Sequence, residues 1–557
     1  MKSGWLYTAI AVFCIVSLAW FLRTYDIASY PPGLFPDEAA NGEDVLLILQ
    51  GDTQPFYPRN NGREALFFYL QAALVKVFGI GVWQMHMASA IVGTLTVFAI
   101  YFATKPYFGR LSGVLAALFL ATSSWHLALS RTGFRAILIP LVLALFTAFV
   151  GLLISAVKEK RFAASYVYAA LAGLSFGSGF YTYIAYRSMI GVVLGIVILL
   201  LLAAMHPKIG FPHARRYGFQ TLFGVLLSIV ALLPLGMYFM EHPNDFIGRA
   251  GQVSVFNKDL QREVGGGTLV GTVLYSFEKT ALSFFYKGDT NWRHNVSGYP
   301  LLNPLVGLLA ILGICWAIKG TWDVFRQIVR GKEVHMGMVY PYLLLLLLGM
   351  MLPSVTTAEG MPHALRSIGM ITPLYILAGT AGAVALRWML ARLGGRSFSG
   401  LVYGGAAGLL IISSAYGPLL YFMISRNSPD AAEAYRGDLT VVANFIIKYA
   451  EANPSGPKPY LVLDEFSDQT VHYLSSTFEG NDRYVRLHPE EAEETLVRPG
   501  EVIIFTQSTI SDANEYEVAH RSSIDLVDSQ HNRFGQEVMR VYIGKSDDTV
   551  EEFDLDA

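Results

Sequence analysis

Eleven apolar segments, each close to the length that crosses a hydrocarbon core, recur between residues 5 and 424. One helical crossing takes about 20 apolar residues, because only a helix satisfies all its backbone polar groups within the segment. The segments lie near 5–22, 82–104, 111–130, 136–156, 163–183, 189–205, 219–240, 301–318, 338–353, 368–390 and 401–424. With 53% hydrophobic and only 15% charged residues, the composition excludes a soluble globular chain. A polytopic α-helical membrane protein is therefore expected, with about 11 transmembrane helices. Residues 5–22 follow a single Lys2 with no small-residue cleavage site after them, so they read as a retained first span.

Charge sets the expected orientation. The short loops on one side hold sixteen Lys and Arg, among them Lys105, Arg161, Lys208, Arg216 and Lys332, against the three acids Glu159, Asp323 and Glu333. Short cytoplasmic loops carry such an excess. The N-terminus then lies in the cytoplasm, and eleven spans put the C-terminal end outside a cell (inner or plasma) membrane. The net charge of −2 conceals a split: from Arg426 onward there are 11 Lys and Arg against 26 Asp and Glu. Two domains follow, a membrane domain over 1–425 and an acidic extracytoplasmic domain over 426–557.

That tail alternates an amphipathic run, "LTVVANFIIKYAEAN", with the strand-like runs "PYLVLD", "EVIIFT" and "MRVYIG", a pattern expected of a small α/β domain. The first outer loop, 23–81, holds two helical stretches, about 37–50 and 63–78, separated by the breaker "GDTQPFYPRNNG". Both suit helices lying at the membrane interface. Cys14 and Cys315 sit inside apolar runs, so neither a disulfide framework nor a thiolate metal site is expected. An acidic tail does not suit an anionic polymer, and no nucleic-acid partner is expected.

The polar residues that stand out all fall in outer loops. Asp37 and Glu38 follow the first span in "GLFPDEAANG". Arg131 and Arg135 stand four apart in "SRTGFRA", where they share a helix face if the fourth span begins early. Tyr183 and Arg187 lie in "GFYTYIAYR"; Asn291, Arg293 and His294 in "DTNWRHNVSG"; Glu359, His363 and Arg366 in "TTAEGMPHALRS". Paired carboxylates beside a hydrophobic segment are costly and usually functional. Transfer of a sugar from a lipid phosphate needs this set of groups. Arg and His stabilise the leaving phosphate, and a carboxylate takes the proton of the attacking hydroxyl.

The Asp-Glu pair after the first span, the Arg-bearing loop after the third, the long outer loop and the outer tail resemble the membrane-embedded GT-C glycosyltransferases. The group most resembled is family 39, the protein mannosyltransferase-like enzymes and their bacterial relatives. "PDEAANG" corresponds to that group's Asp-Glu motif and "PHALRS" resembles a late outer-loop motif. The resemblance implies an inverting transfer, hexosyl or pentosyl, from a polyprenyl-phosphate-linked sugar donor to a lipid, glycan or protein acceptor among membrane lipids. Asp37 takes the catalytic base's position and Glu38 its neighbour's. Arg131, Arg135, Tyr183, Arg187, Asn291, Arg293, His294, Glu359, His363 and Arg366 are expected around the phosphate and sugar. Pro36 departs from the basic or aromatic residue that other GT-C members often place before the pair. No metal ligands are assigned and no cofactor is expected, a divalent metal being left open. The rival reading is a polytopic transporter or lipid-carrier flippase; it is disfavoured because the charges cluster at one interface and no repeat is visible.

Overall fold

The computed structural model describes residues 2–210, 212–247, 254–393, 399–478 and 483–545. The chain forms two compact units. The first comprises Met1–Ile27, Gln54–Leu70 and His86–Asn427; the second comprises Ala28–Thr53, Gln71–Met85 and Ser428–Ala557. The sequence alone suggested a division at 425/426. Here the second unit also takes in much of the first outer loop.

Among the described residues, nine helices are long and apolar enough to cross a membrane. They run over Gly4–Thr24, Val82–Phe108, Arg135–Lys158, Ile184–Ala204, Arg216–Glu241, Pro304–Val329, Met336–Val355, Ile368–Arg392 and Gly400–Ser425. The protein is a multi-pass membrane protein. Two of the eleven expected spans differ. The segment near 111–130 is broken into Arg110–Ala121 and Ser124–Leu129. At the break Ser123 leaves helical geometry and its Oγ accepts the His126 N–H at 3.2 Å, starting a new helix. The segment near 163–183 forms the helix Phe162–Gly179 but is not among the nine. Its small residues serve helix packing: a methyl on Gly173 would lie 2.1 Å from the Gly224 carbonyl of helix Pro212–Glu241.

Helix Ile371–Leu393 is the most covered of the spans. Gly379 lets it approach Ala116 so closely that a methyl there would lie 2.5 Å from the Ala116 nitrogen. Two fully buried arginines tie the first span to the broken one. Arg23 donates from Nη1 to the Ala121 carbonyl at 3.2 Å, at the break, and its Nη2 meets His126 Nδ1 at 2.7 Å. Arg131 donates in return to the carbonyls of Leu22 and Arg23, at 3.1 and 2.9 Å. Carbonyls left open at helix ends thus find donors inside the protein. Arg426 pairs with Asp26, joining the ends of the last and first spans.

In the breaker of the first outer loop, β1 (Phe56–Tyr57) and β2 (Arg63–Glu64) form a small antiparallel hairpin. The helix expected from 63 starts at Leu66.

The second unit holds a five-stranded mixed sheet. Its strands are β3 (Tyr460–Val462), β4 (Val485–Leu487), β5 (Val502–Thr506), β6 (Ile524–His531) and β7 (Glu537–Gly544), in the order β4-β3-β5-β7-β6. β4, β3 and β5 are parallel and β7 and β6 antiparallel. The three apolar runs read as strands become β3, β5 and β7, and the amphipathic run becomes helix Gly437–Ala452. Val462, Ile503, Phe505, Tyr516 and Tyr542 form the core on one face.

Helix Glu465–Ser475 is started by Asp464, whose carboxylate accepts the Ser467 N–H at 2.9 Å. Burial pushes this carboxyl up. The bonds from Ser467, the Arg436 charge and the Phe466 N–H outweigh it, and its pKa falls below the ordinary 3.8. A lowered folded value means that the carboxylate stabilises fully above 3.8 and loses that contribution as pH falls through the lowered value. Asp464→Ala should therefore cost about 1 kcal/mol at neutral pH, with the difference from wild type shrinking under acid. Amide hydrogen exchange at Ser467, followed against pH, measures it.

Candidate active site

In the second unit, Asp37 and Glu38 open helix Pro36–Leu49, with Pro36 at the first helical position. Pro is favoured there because its missing N–H would be unpaired anyway. The N-cap, Phe35, makes no side-chain cap bond, and the two acids face the positive end of the helix dipole. The pair divides: Asp37 is exposed and Glu38 is fully buried. Asn41 and Asp44 on the same helix are also buried, a polar feature that the sequence reading passed over.

This helix packs on Glu465–Ser475. A methyl on Gly42 would come within 2.6 Å of the Tyr473 ring, so only glycine permits the approach. One residue on, Glu43 Oε1 lies 2.6 Å from His472 Nδ1. The chain leading into the helix is held as well: Thr470 Oγ1 donates to the Leu34 carbonyl at 3.1 Å, and the Phe35 and Phe466 rings meet edge-on. The acidic pair is therefore positioned by the C-terminal part of the sequence.

In the first unit, three expected residues come together around one that was not singled out, Glu64. Arg135 Nε lies 3.3 Å from Glu64 Oε2 and Arg187 Nη2 lies 3.8 Å from Oε1, with Glu64 almost wholly buried. The Arg135 guanidinium stacks on Tyr183 at 5.2 Å, and Arg187 on Phe246 at 4.6 Å. Two guanidiniums share one carboxylate, so this cluster keeps a net positive charge.

The residue before Arg135, Phe134, meets the His294 ring edge-on. This brings a second cluster alongside the first. His294 stacks on His363 with ring centroids 4.7 Å apart. Asp289, also not singled out, holds His294: its Oδ2 lies 3.1 Å from His294 Nδ1 and accepts the Ala364 N–H at 2.7 Å. Its Oδ1 accepts the Asn291 N–H at 2.8 Å. Asn291 builds the turn, its Oδ1 accepting the Arg293 N–H at 3.1 Å. Ligand atoms of Asp289, His294 and His363 lie within 4.8 Å of one another, so these three could hold a cation. Both carboxylate oxygens are already engaged by backbone N–H groups. The arrangement suits Asp289 to orienting an imidazole, with Nδ1 held and Nε2 turned away from the carboxylate.

Other expected residues lie elsewhere. Arg131 is fully buried, caps the first span and stacks on Tyr421 and Phe422. It does not share a helix face with Arg135, because it sits in the turn after Ser124–Leu129, and Arg135 opens the next helix. His363 and Arg366 belong to the loop before the tenth span. They lie in turns before the helix, which begins at Ile368. Pro362 lacks an N–H and Gly360 has φ +64°, and both delay helix formation. Arg366 turns to Glu359, donating to its carbonyl at 2.7 Å and pairing with its carboxylate at 3.4 Å. Tyr186 is core, packed on Phe176 and Phe180.

Residues 64–234 match a family model described as dolichyl-phosphate-mannose-protein mannosyltransferase. The structure is similar over 97% of its length to 98% of ArnT from Cupriavidus metallidurans bound to undecaprenyl phosphate, at 14% identity and a TM-score of 0.52. It is similar over 99% of its length to 75% of the archaeal oligosaccharyltransferase AglB from Archaeoglobus fulgidus, solved with an inhibitory peptide and a dolichol-phosphate, at 11% identity and a TM-score of 0.50. The chain has the GT-C fold. No curated protein matches the sequence.

Gly42→Ala should drive a methyl into the Tyr473 ring and destabilise the second unit by about 1–3 kcal/mol, read as a lower melting temperature. Glu64→Gln should leave two guanidiniums uncompensated. Breaking a fully buried pair costs about 3–5 kcal/mol. Arg135 and Arg187 keep some solvent access, so a loss on the order of 2 kcal/mol is expected. Thermal unfolding in detergent, compared with Glu64→Asp, measures it.

Proposed function

We propose that this protein is an inverting glycosyltransferase that moves one sugar, hexosyl or pentosyl, from a polyprenyl-phosphate-linked donor to a hydroxyl acceptor at the outer face of a cell membrane. The observation that carries the reading is the division of the acidic pair: Asp37 alone is exposed, at the start of a helix held by Gly42 and Glu43. The GT-C fold supports it. So does the structural relative bound to undecaprenyl phosphate, a lipid phosphate of the kind that such a transfer releases.

In this reading the Asp37 carboxylate accepts the proton of the acceptor hydroxyl as its oxygen attacks the anomeric carbon. The bond from that carbon to the phosphate oxygen breaks on the opposite face, and the polyprenyl phosphate leaves with the electron pair. Arg135 and Arg187 stabilise the departing charge, because Glu64 neutralises only one of them. His294, oriented by Asp289, adds a hydrogen bond from Nε2 when protonated. Arg366, paired one-to-one with Glu359, is the weaker phosphate ligand. Glu38 supports the start of the helix from within the core. The GT-C fold lends no support to the transporter or flippase alternative.

Purified protein given radiolabelled polyprenyl-phosphate sugars should release or transfer sugar. Asp37→Asn should lower turnover by about 10²–10⁴-fold while leaving donor binding intact. Arg187→Ala should weaken donor binding first. Retention of full turnover by Asp37→Asn would remove Asp37 as base. Loss of wild-type turnover in EDTA would show that a cation takes part, and would turn attention to Asp289, His294 and His363.

A further inference from the structure

The spans Ile184–Ala204 and Arg216–Glu241 are the two that the protein itself covers least, with 17% and 11% of their apolar windows buried. Between them and helices Leu138–Lys158 and Val339–Val355 lies a cavity of about 680 Å³. Its walls are aliphatic and aromatic, with Phe146, Val150, Ile196 and Leu222 among them. Two of the wall residues, Leu201 and Leu222, are exposed on the outer surface of their spans, so the cavity borders the bilayer.

The cavity lies at the far end of these helices from Arg135, Glu64 and Arg187. Helix Pro212–Glu241 lines it with Tyr217 to Val225, whereas Arg187 stacks on Phe239 of the same helix. Val225 and Phe239 are about 20 Å apart along a helix. Leu138–Lys158 likewise contributes Leu153 and Ile154, near its Lys158 end.

That end is basic. The segments that flank the cavity carry Lys208 and Arg216 on one side and Arg330 and Lys332 on the other, against the single acid Glu333, which lies 4.0 Å from Arg216. They are drawn together where Gly331 packs on Lys208, leaving 2.9 Å between a Cβ there and the lysine Cβ. At the cavity's edge Arg216 Nη1 lies 2.9 Å from His335 Nε2, and His335 lines the cavity beside Tyr217. Arg216 keeps about half its surface accessible, at 48%.

We propose that this cavity holds a resident anionic phospholipid from the leaflet that borders these loops. One acyl chain fills the apolar space, and the headgroup phosphate rests among Arg216, Lys208 and their basic neighbours. Apolar space that opens onto a bilayer takes up a lipid chain, and a basic pocket between membrane helices selects an anionic headgroup. The site is separate from the proposed donor site and does not depend on the protein being a transferase.

The test uses full-length protein purified in mild detergent, with bound lipid identified by native mass spectrometry. The protein is then exchanged into phosphatidylcholine nanodiscs with or without phosphatidylglycerol. Wild type should keep one anionic phospholipid per chain through delipidation. Thr221→Trp, which fills the cavity, should lose it, and Arg216→Gln should weaken its retention about fivefold. Equal retention by Thr221→Trp, no preference between the two headgroups, or a polyprenyl phosphate in place of the phospholipid would each overturn the proposal. If Thr221→Trp fails to fold, Arg216→Gln decides alone, and an unchanged headgroup preference in it overturns the proposal.

Discussion

A helix that ends or breaks away from water must find donors for its terminal carbonyls inside the protein, and much of the first unit follows from how those groups are met. The buried pair Arg23 and Arg131 is the clearest case. Arg23 reaches from the first span to the carbonyl at the break, and Arg131 reaches back from the turn after Ser124–Leu129 to the carbonyls at the end of the first span. Once Arg23 serves the break after Ala121, the chain can interrupt a span at Thr122–Ser123. After the short helix Ser124–Leu129 the chain turns, so that Phe134 meets His294 and Arg135, opening the next helix, meets Glu64.

The second unit solves a different problem, that of holding still a short helix with a polar start. Pro36–Leu49 ends in the apolar run Val45–Leu49, but Glu38, Asn41 and Asp44 are all buried. Its position is fixed by shape at Gly42 and by charge at Glu43. The acidic tail, which carries no catalytic motif in its sequence, thereby acquires a reason to exist: it is the surface on which the acidic pair is mounted.

Much of this was legible in the sequence. Among the described residues, nine of the eleven apolar windows form helices long and apolar enough to cross a membrane, and the tail's strand and helix runs fall where periodicity placed them. A hydropathy window averages over about 20 residues, so two residues of helix break at 122–123 left no trace. Arg135, Tyr183 and Arg187 were chosen for their side of the membrane, and the structure joins them. Glu64, which does the joining, lies 71 and 123 residues from its two partners, a distance at which no local pattern speaks. Asp289 lies five residues before His294 in a turn, a spacing with no helical or strand signature. Gly42 stood in plain view in "PDEAANG", but its role depends on Tyr473, more than four hundred residues later.

That separation along the chain has a consequence for how the protein is made. Synthesis runs from the N-terminus, and domains fold as their residues emerge. The helix bearing Asp37 is made directly after the first span, yet Tyr473 and His472 are made only after every membrane span. Until then the proposed base has no seat. A nascent chain can therefore complete its membrane bundle before the acidic pair is held, and under the proposed function turnover waits for the last residues to be made.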